Sequence, residues 1–239
     1  MAGSIIAMGG GGFSMEPDKP SLDRYVLSQA RRDRPSVCFL PTASGDASDN
    51  IVRFYAAFTA LPCSPTHLSL FRLPTADLAG LILAQDVLYV GGGNTRSMLA
   101  VWREWGLVDL LRRALDEGVV LAGVSAGANC WFEQAVTDAV PGRMSLAAGL
   151  GLVSGSCCPH YSNQPLRRPG YHHMMRAGEI GPGYGIDDGA ALHLVDGALR
   201  EVVCSREEAN AYRMDVVAGD VVERRLPRTL LDASGARRV

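Results

Sequence analysis

Over its first 130 residues the chain alternates short apolar runs with amphipathic stretches of helical period. Strands separated by helices pair in parallel, and a parallel sheet needs crossover connections that cover both its faces. Residues 4–8, 37–40, 67–71, 86–90 and 119–124 read as the strands. Ser21 reads as the N-cap of a helix over residues 22–32, and Asp49 or Asn50 as the cap of one over residues 51–61. Residues 95–105 and 107–117 supply two more helices. The expected architecture is α/β, with a mostly parallel central sheet. Such sheets bind ligands at the carboxyl ends of their strands.

The second half is less regular. Residues 128–134 and 169–176 look helical, and residues 202–222 read as antiparallel edge strands. No repeat, low-complexity tract or linker divides the chain, so residues 1–239 are expected to form one domain. The formal net charge of −2 gives no electrostatic footprint for nucleic acid or an anionic membrane surface. No apolar run approaches the roughly 18 residues that cross a bilayer, and the first residues lack a secretory leader pattern. Six scattered cysteines show neither a CxxC pair nor zinc-ligand spacing. Those features lead to the expectation of a cytoplasmic protein with reduced thiols and no metal or organic cofactor.

Glycine makes up 27 of 239 residues and is clustered at strand ends. Gly123-Val124-Ser125-Ala126-Gly127 follows an apolar strand directly, as a nucleophile elbow requires: small residues flank a sharp turn that lifts the serine hydroxyl above the sheet. The Ala126 amide would then open the following helix and could donate to an oxyanion. Gly91, Gly92 and Gly93 end another strand and precede Asn94. They fit a second oxyanion donor from Gly92 or Gly93 better than a phosphate cradle. Neither G-x-G-x-x-G nor a Lys-Ser/Thr after the glycines is present, and the residue 9–12 glycines are similarly weak as a dinucleotide fingerprint.

A serine nucleophile needs a base and a group that orients it. Of five histidines, His67 and His193 lie in apolar strand-like runs, while His172 and His173 sit in the helical-looking segment. His160 follows an apolar stretch and the rigid Pro159, a good mounting for a fixed imidazole. The downstream acid is Asp188 or its neighbour Asp187, with Asp138 and Glu133 as alternatives. The order Ser125, His160, Asp188 differs from the Ser, acid, His order of α/β-hydrolases.

Residues 86–94 (DVLYVGGGN), 123–128 (GVSAGA), 159–163 (PHYSN) and 185–189 (GIDDG) resemble, in order and spacing, the peptidase E family of serine peptidases. Cyanophycinases are relatives of that family. MGGGGFSMEP and LAVWREWGL resemble a bacterial peptidase E-like subgroup. The likeness implies a three-layer α/β/α fold of the class I glutamine amidotransferase or flavodoxin kind. It places Ser125 at the nucleophile, His160 at the base and Asp188 at an acid position that is often Glu. Gly92 or Gly93 and Ala126 match the oxyanion hole, and Asp138, a second acidic position of the family, is the fallback acid.

For substrate binding the resemblance points to Asn94 and to a segment after the histidine that commonly reads R-x-x-R. Here Arg168 is kept and Tyr171 stands where a second arginine is expected. The expected partner is a small peptide substrate, and a homodimer is compatible with the family tendency. The rival readings are a cyanophycinase-like hydrolase of β-linked Asp-Arg and a non-catalytic binding protein on the same scaffold.

Overall fold

The computed structural model describes residues 3–238. The first half reads β1 (Ser4–Met8), α1 (Ser21–Ser28), β2 (Ser36–Leu40), α2 (Ser48–Phe58), β3 (Ser64–His67) and α3 (Leu78–Leu83). It continues through β4 (Val87–Val90), α4 (Thr95–Glu104), α5 (Leu107–Asp116), β5 (Val120–Val124) and the single turn α6 (Ala126–Asn129). Then come β6 (Phe132–Thr137), β7 (Ser145–Ala148), β8 (Val153–Pro159), α7 (Arg167–Arg176) and β9 (Gly183–Ile186). The chain ends with β10 (Ala190–Val195), β11 (Ala198–Cys204), β12 (Ala211–Val217), β13 (Asp220–Arg225) and β14 (Thr229–Leu230).

An eight-stranded sheet runs in the order β14-β11-β10-β1-β5-β4-β2-β3. Its five strands from β1 to β3 are mutually parallel, and β10 and β11 extend it antiparallel. Alternate residues of each strand enter different cores, as pleating requires. Ile6, Met8, Phe39 and Tyr89 pack against Leu22, Val26, Phe54 and Phe58 of α1 and α2. Ile5, Ala7, Leu40 and Val90 pack with Ile82, Met98, Trp102 and Leu111 of α3 to α5. This is the expected α/β/α layering around a mostly parallel sheet. Both faces of the central strands are dry, which is why they read as unbroken apolar runs.

A second, six-stranded sheet, β13-β12-β9-β8-β6-β7, was not expected. Residues 128–134 do not form a helix: α6 stops after one turn and the chain enters β6 at Phe132. Residues 202–222 do form antiparallel strands, but they are divided between the sheets, β11 in the first and β12 and β13 in the second. The α7 helix covers one face of the second sheet through Tyr171, Met174 and Met175, against Val136, Cys158 and Tyr161.

The third strand is also displaced. It occupies Ser64–His67, while Leu68 and Leu70 are buried outside the ladder. Two helix starts differ as well. Pro20 takes the N-cap position of α1, leaving Ser21 buried inside the helix, and Ala47 caps α2, which carries Asp49 and Asn50 into the first turn. Among the described residues no helix is long and apolar enough to cross a membrane. All six cysteines are free and buried, and burial pushes the Cys38 thiol up to about 12.

One buried carboxyl group makes stability pH-dependent. Asp23, in the first turn of α1, is wholly buried and accepts a hydrogen bond from the Tyr89 hydroxyl at 2.9 Å. Desolvation raises its carboxyl from 3.8 to about 7, against the opposing bonds from Tyr89 and the Phe13 backbone. Folded Asp23 therefore keeps its proton across a pH range in which the unfolded chain has lost it. Stability falls as pH rises from about 4 to about 7, by on the order of 4 kcal/mol from this group. Urea unfolding of wild type and Asp23→Asn across that range should give a gap that shifts in the variant's favour as pH rises. A pH-independent gap would contradict this account of Asp23.

Candidate active site

The carboxyl ends of β1, β4 and β5 lie side by side, with Met8 level with Val124 and Val90 level with Gly123. Ser125 leaves this edge at φ 57°, ψ −110°, a conformation that is strained for a residue with a side chain. The Ser125 amide donates to Met8 O at 3.0 Å, and the Ser125 carbonyl accepts from Ala128 and Asn129. The flanking glycines are steric necessities. A Cβ on Gly123 would overlap the Gly127 carbonyl, and one on Gly127 would overlap the Val90 carbonyl.

His160 follows β8 and also has a positive φ, 54°. Its Nε2 lies 2.9 Å from Ser125 Oγ, and its Nδ1 lies 2.5 Å from Asp188 Oδ1. His160 and Asp188 are each 8% exposed, so the pair is nearly dry and its hydrogen bonds face little competition from water. An aspartate has a shorter reach than the glutamate expected of the family, and the residue 9–12 glycines show how the contact closes. The Asp188 loop runs directly along the bare backbone after β1: Gly189 N donates to Gly10 O at 2.9 Å. A Cβ on Gly10 would overlap Asp188 Oδ1 and come within 3.0 Å of His160 Nδ1. The bare backbone at Gly10 is what leaves room for the Asp188 carboxylate beside His160.

Further contacts fix that loop. Asp188 N donates to Asn163 Oδ1 at 2.7 Å. Ser205 N donates to Gly189 O, the Ser205 hydroxyl donates to Glu16 Oε2 at 2.8 Å, and Arg206 pairs with Glu16 at 3.0 Å. Sequence reasoning passed over Asn163, Glu16 and Arg206, although Asn163 and Glu16 lie in segments that carry the family resemblance.

The other candidate acids point elsewhere. Asp187 accepts from the Ser162 amide at 2.9 Å and the Asn210 amide at 3.2 Å, and burial raises its pKa. It ties two loops together. Asp138 is bound to the buried Arg167 guanidinium at 2.8 Å, so the fallback acid is not the partner of His160.

On the oxyanion side, a Cβ on Gly92 would stand 3.3 Å from Ser125 Cβ, so its backbone lies against the hydroxyl-bearing carbon. The Gly91 and Asn94 amides donate to Leu40 O and Ala43 O, whereas those of Gly92 and Gly93 have no backbone acceptor among the described residues. Ala126 opens α6, where amides lack intrahelical acceptors.

The expected substrate-binding residues are placed differently from the expectation. Asn94 is the N-cap of α4: its Oδ1 accepts from Ser97 N at 2.9 Å and its Nδ2 donates to Ala139 O at 3.3 Å. Arg168 is held by Glu223 at 2.6 Å, over the rings of Tyr161 and Tyr212. Tyr171 is wholly buried, its hydroxyl 2.5 Å from Ser156 Oγ, and is a core residue of the second sheet. Cys157 and Cys158, just before His160, are equally buried in the core. The cavity that does open beside Ser125, of about 210 Å³, is walled by Phe13, Ser14, Met15, Phe39 and Asn50 together with Gly91, Gly92 and Val124. In the sequence Asn50 presents itself as a helix cap, and residues 13–15 only as part of a subgroup motif.

Residues 5–202 match the model of peptidase family S51. The chain is 52% identical over 223 residues to the uncharacterized peptidase YgaJ of Bacillus subtilis (strain 168), covering 93% of this chain and 96% of that protein. It is 30% identical over 141 residues to peptidase E of Citrobacter koseri, covering 58% of this chain and 60% of that one. In fold it resembles the crystal structure of a peptidase from an acI-B1 Actinobacterium, with a TM-score of 0.62, 18% identity and 95% of each chain covered. The family match and the extent of the likeness to YgaJ show that the chain belongs to peptidase family S51, a family of serine peptidases.

Proposed function

We propose that the chain hydrolyses small peptides, dipeptides among them, through a Ser125-His160-Asp188 triad. The observation that carries this reading is the unbroken hydrogen-bond line from Ser125 Oγ through both imidazole nitrogens to Asp188. With a proton on Nδ1 donated to the Asp188 carboxylate, Nε2 is left with a lone pair facing the Ser125 hydroxyl. As Oγ attacks the peptide carbonyl, Nε2 takes its proton, and Asp188 stabilises the imidazolium that forms. Amides of Ala126 and of Gly92 or Gly93 would hold the oxyanion, each worth roughly 3–4 kcal/mol in comparable sites. The tetrahedral intermediate collapses, and the departing amine takes the proton from His160. Water then gives a proton to Nε2 and attacks the Ser125 ester, which releases the carboxylic acid and restores the hydroxyl. The small cavity beside Ser125 supports short substrates, and six free thiols support a reducing, cytoplasmic setting.

The test is hydrolysis of a dipeptide panel followed by free-amine release. Cleavage of at least one member by wild type, and of none by Ser125→Ala, is the expected outcome. Equal cleavage by both proteins would remove Ser125 from the reaction.

A further inference from the structure

No aspartate, glutamate, lysine or arginine lines the cavity beside Ser125. Phe13, Met15, Phe39 and Val124 supply its apolar wall, and Ser14 and Asn50 its side-chain polar atoms outside Ser125 and His160. The arginines that follow His160 in the chain, and the acid next to Met15, are committed elsewhere. Arg167 is held by Asp138, by Gln164 and by the Val136 carbonyl, and Arg168 by Glu223. Glu16 is held by Arg206 and Ser205. The buried Asp23, whose carboxyl is hydrogen-bonded to the Phe13 backbone, is an acid and supplies no counter-charge for a carboxylate. We propose that this cavity is the subsite for the side chain of the acyl-donating residue, and that it selects an uncharged, apolar side chain and rejects aspartate. The inference rests on Ser125 being the nucleophile.

The physical argument is one of desolvation. A carboxylate entering this space gives up its water and meets no guanidinium or ammonium, whereas a leucine, methionine or phenylalanine side chain gains from leaving water. The wall is also adaptable. Met15 is 49% exposed and its sulfur accepts the Gly11 amide at 3.2 Å, so one wall beside the Phe13 and Phe39 rings is an unbranched thioether in contact with solvent. Neutral residues of different shape should therefore be accepted with similar efficiency. Asn50 is the position at which a single change supplies the missing counter-charge.

Two measurements test the proposal. The first is kcat/KM for X-Leu dipeptides with X as leucine, methionine, phenylalanine, aspartate or lysine. The apolar members should exceed aspartate and lysine by about 100-fold. The second is the rate at which diphenyl phosphonate analogues of leucine and aspartate label Ser125, located by mass spectrometry, which reads the subsite without turnover. The leucine analogue should react about 100-fold faster. Asn50→Arg should narrow both gaps at least tenfold. Labelling or cleavage that favours aspartate, or treats the two alike, overturns the subsite proposal and leaves the triad standing. If neither analogue labels Ser125 and no dipeptide is cleaved, the triad reading fails and the subsite proposal fails with it.

Discussion

Ser125→Ala lowers kcat for any cleaved dipeptide by a factor on the order of 10⁴ or more, with little change in KM. The loss falls on kcat because the hydroxyl forms a bond in the transition state and does little for the bound ground state. The scaffold should tolerate the change. Ser125 is held through its backbone, by the bond from its amide to Met8 and by those its carbonyl accepts from α6, and alanine keeps all of these. The side chain contributes one contact, to His160. Thermal unfolding of the variant should match wild type within a degree or two, whereas a kcat within tenfold of wild type would exclude Ser125 as the nucleophile.

Asp188→Asn is expected to lower kcat by about 10⁴-fold with the geometry nearly unchanged. An asparagine that presents its amide N–H to His160 requires Nδ1 to be the acceptor. The proton then sits on Nε2, which can no longer take one from Ser125. The neighbouring Asp187→Asn gives the contrasting result. Its carboxylate accepts backbone amides from Ser162 and Asn210, so its loss should lower the unfolding midpoint and leave kcat within a few-fold. Steady-state kinetics and thermal unfolding of the two variants separate the residue that orients the imidazole from the one that braces the loop. A large kcat loss in Asp187→Asn with none in Asp188→Asn would reverse the assignment.

The sequence made four of the five parallel strands legible because both faces of β1, β2, β4 and β5 are buried, whereas the half-exposed edge strand β3 lies at residues 64–67 and not at 67–71. The elbow was legible for a related reason. Glycines at 123 and 127 next to a serine after an apolar strand leave few structural explanations, and the structure shows backbone carbonyls where their Cβ atoms would go. Ser125, His160 and Asp188, chosen by chain order and resemblance, are the residues that meet.

What stayed hidden depends on tertiary context. Residues 126–134 hold one helical turn followed by a strand, a change of period too abrupt for a window of helix length to register. The α7 segment shows no clear apolar stripe, so nothing local indicated that Arg167 and Tyr171 face inward while Arg168 faces out. The glycines at 9 and 10 make sense only against a loop nearly 180 residues away, at residues 186–188. Asn50 reads as a cap because its type favours caps, yet the helix begins earlier and turns it toward the cavity.

The central claim is that Ser125 is a nucleophile activated by His160. It is tested most directly by treating the protein with a small fluorophosphonate and mapping the adduct by mass spectrometry. The account predicts a single adduct on the peptide containing Ser125, absent from Ser125→Ala and formed far more slowly in His160→Ala. An adduct on any other residue, or an unlabelled protein that still cleaves peptides, would contradict it.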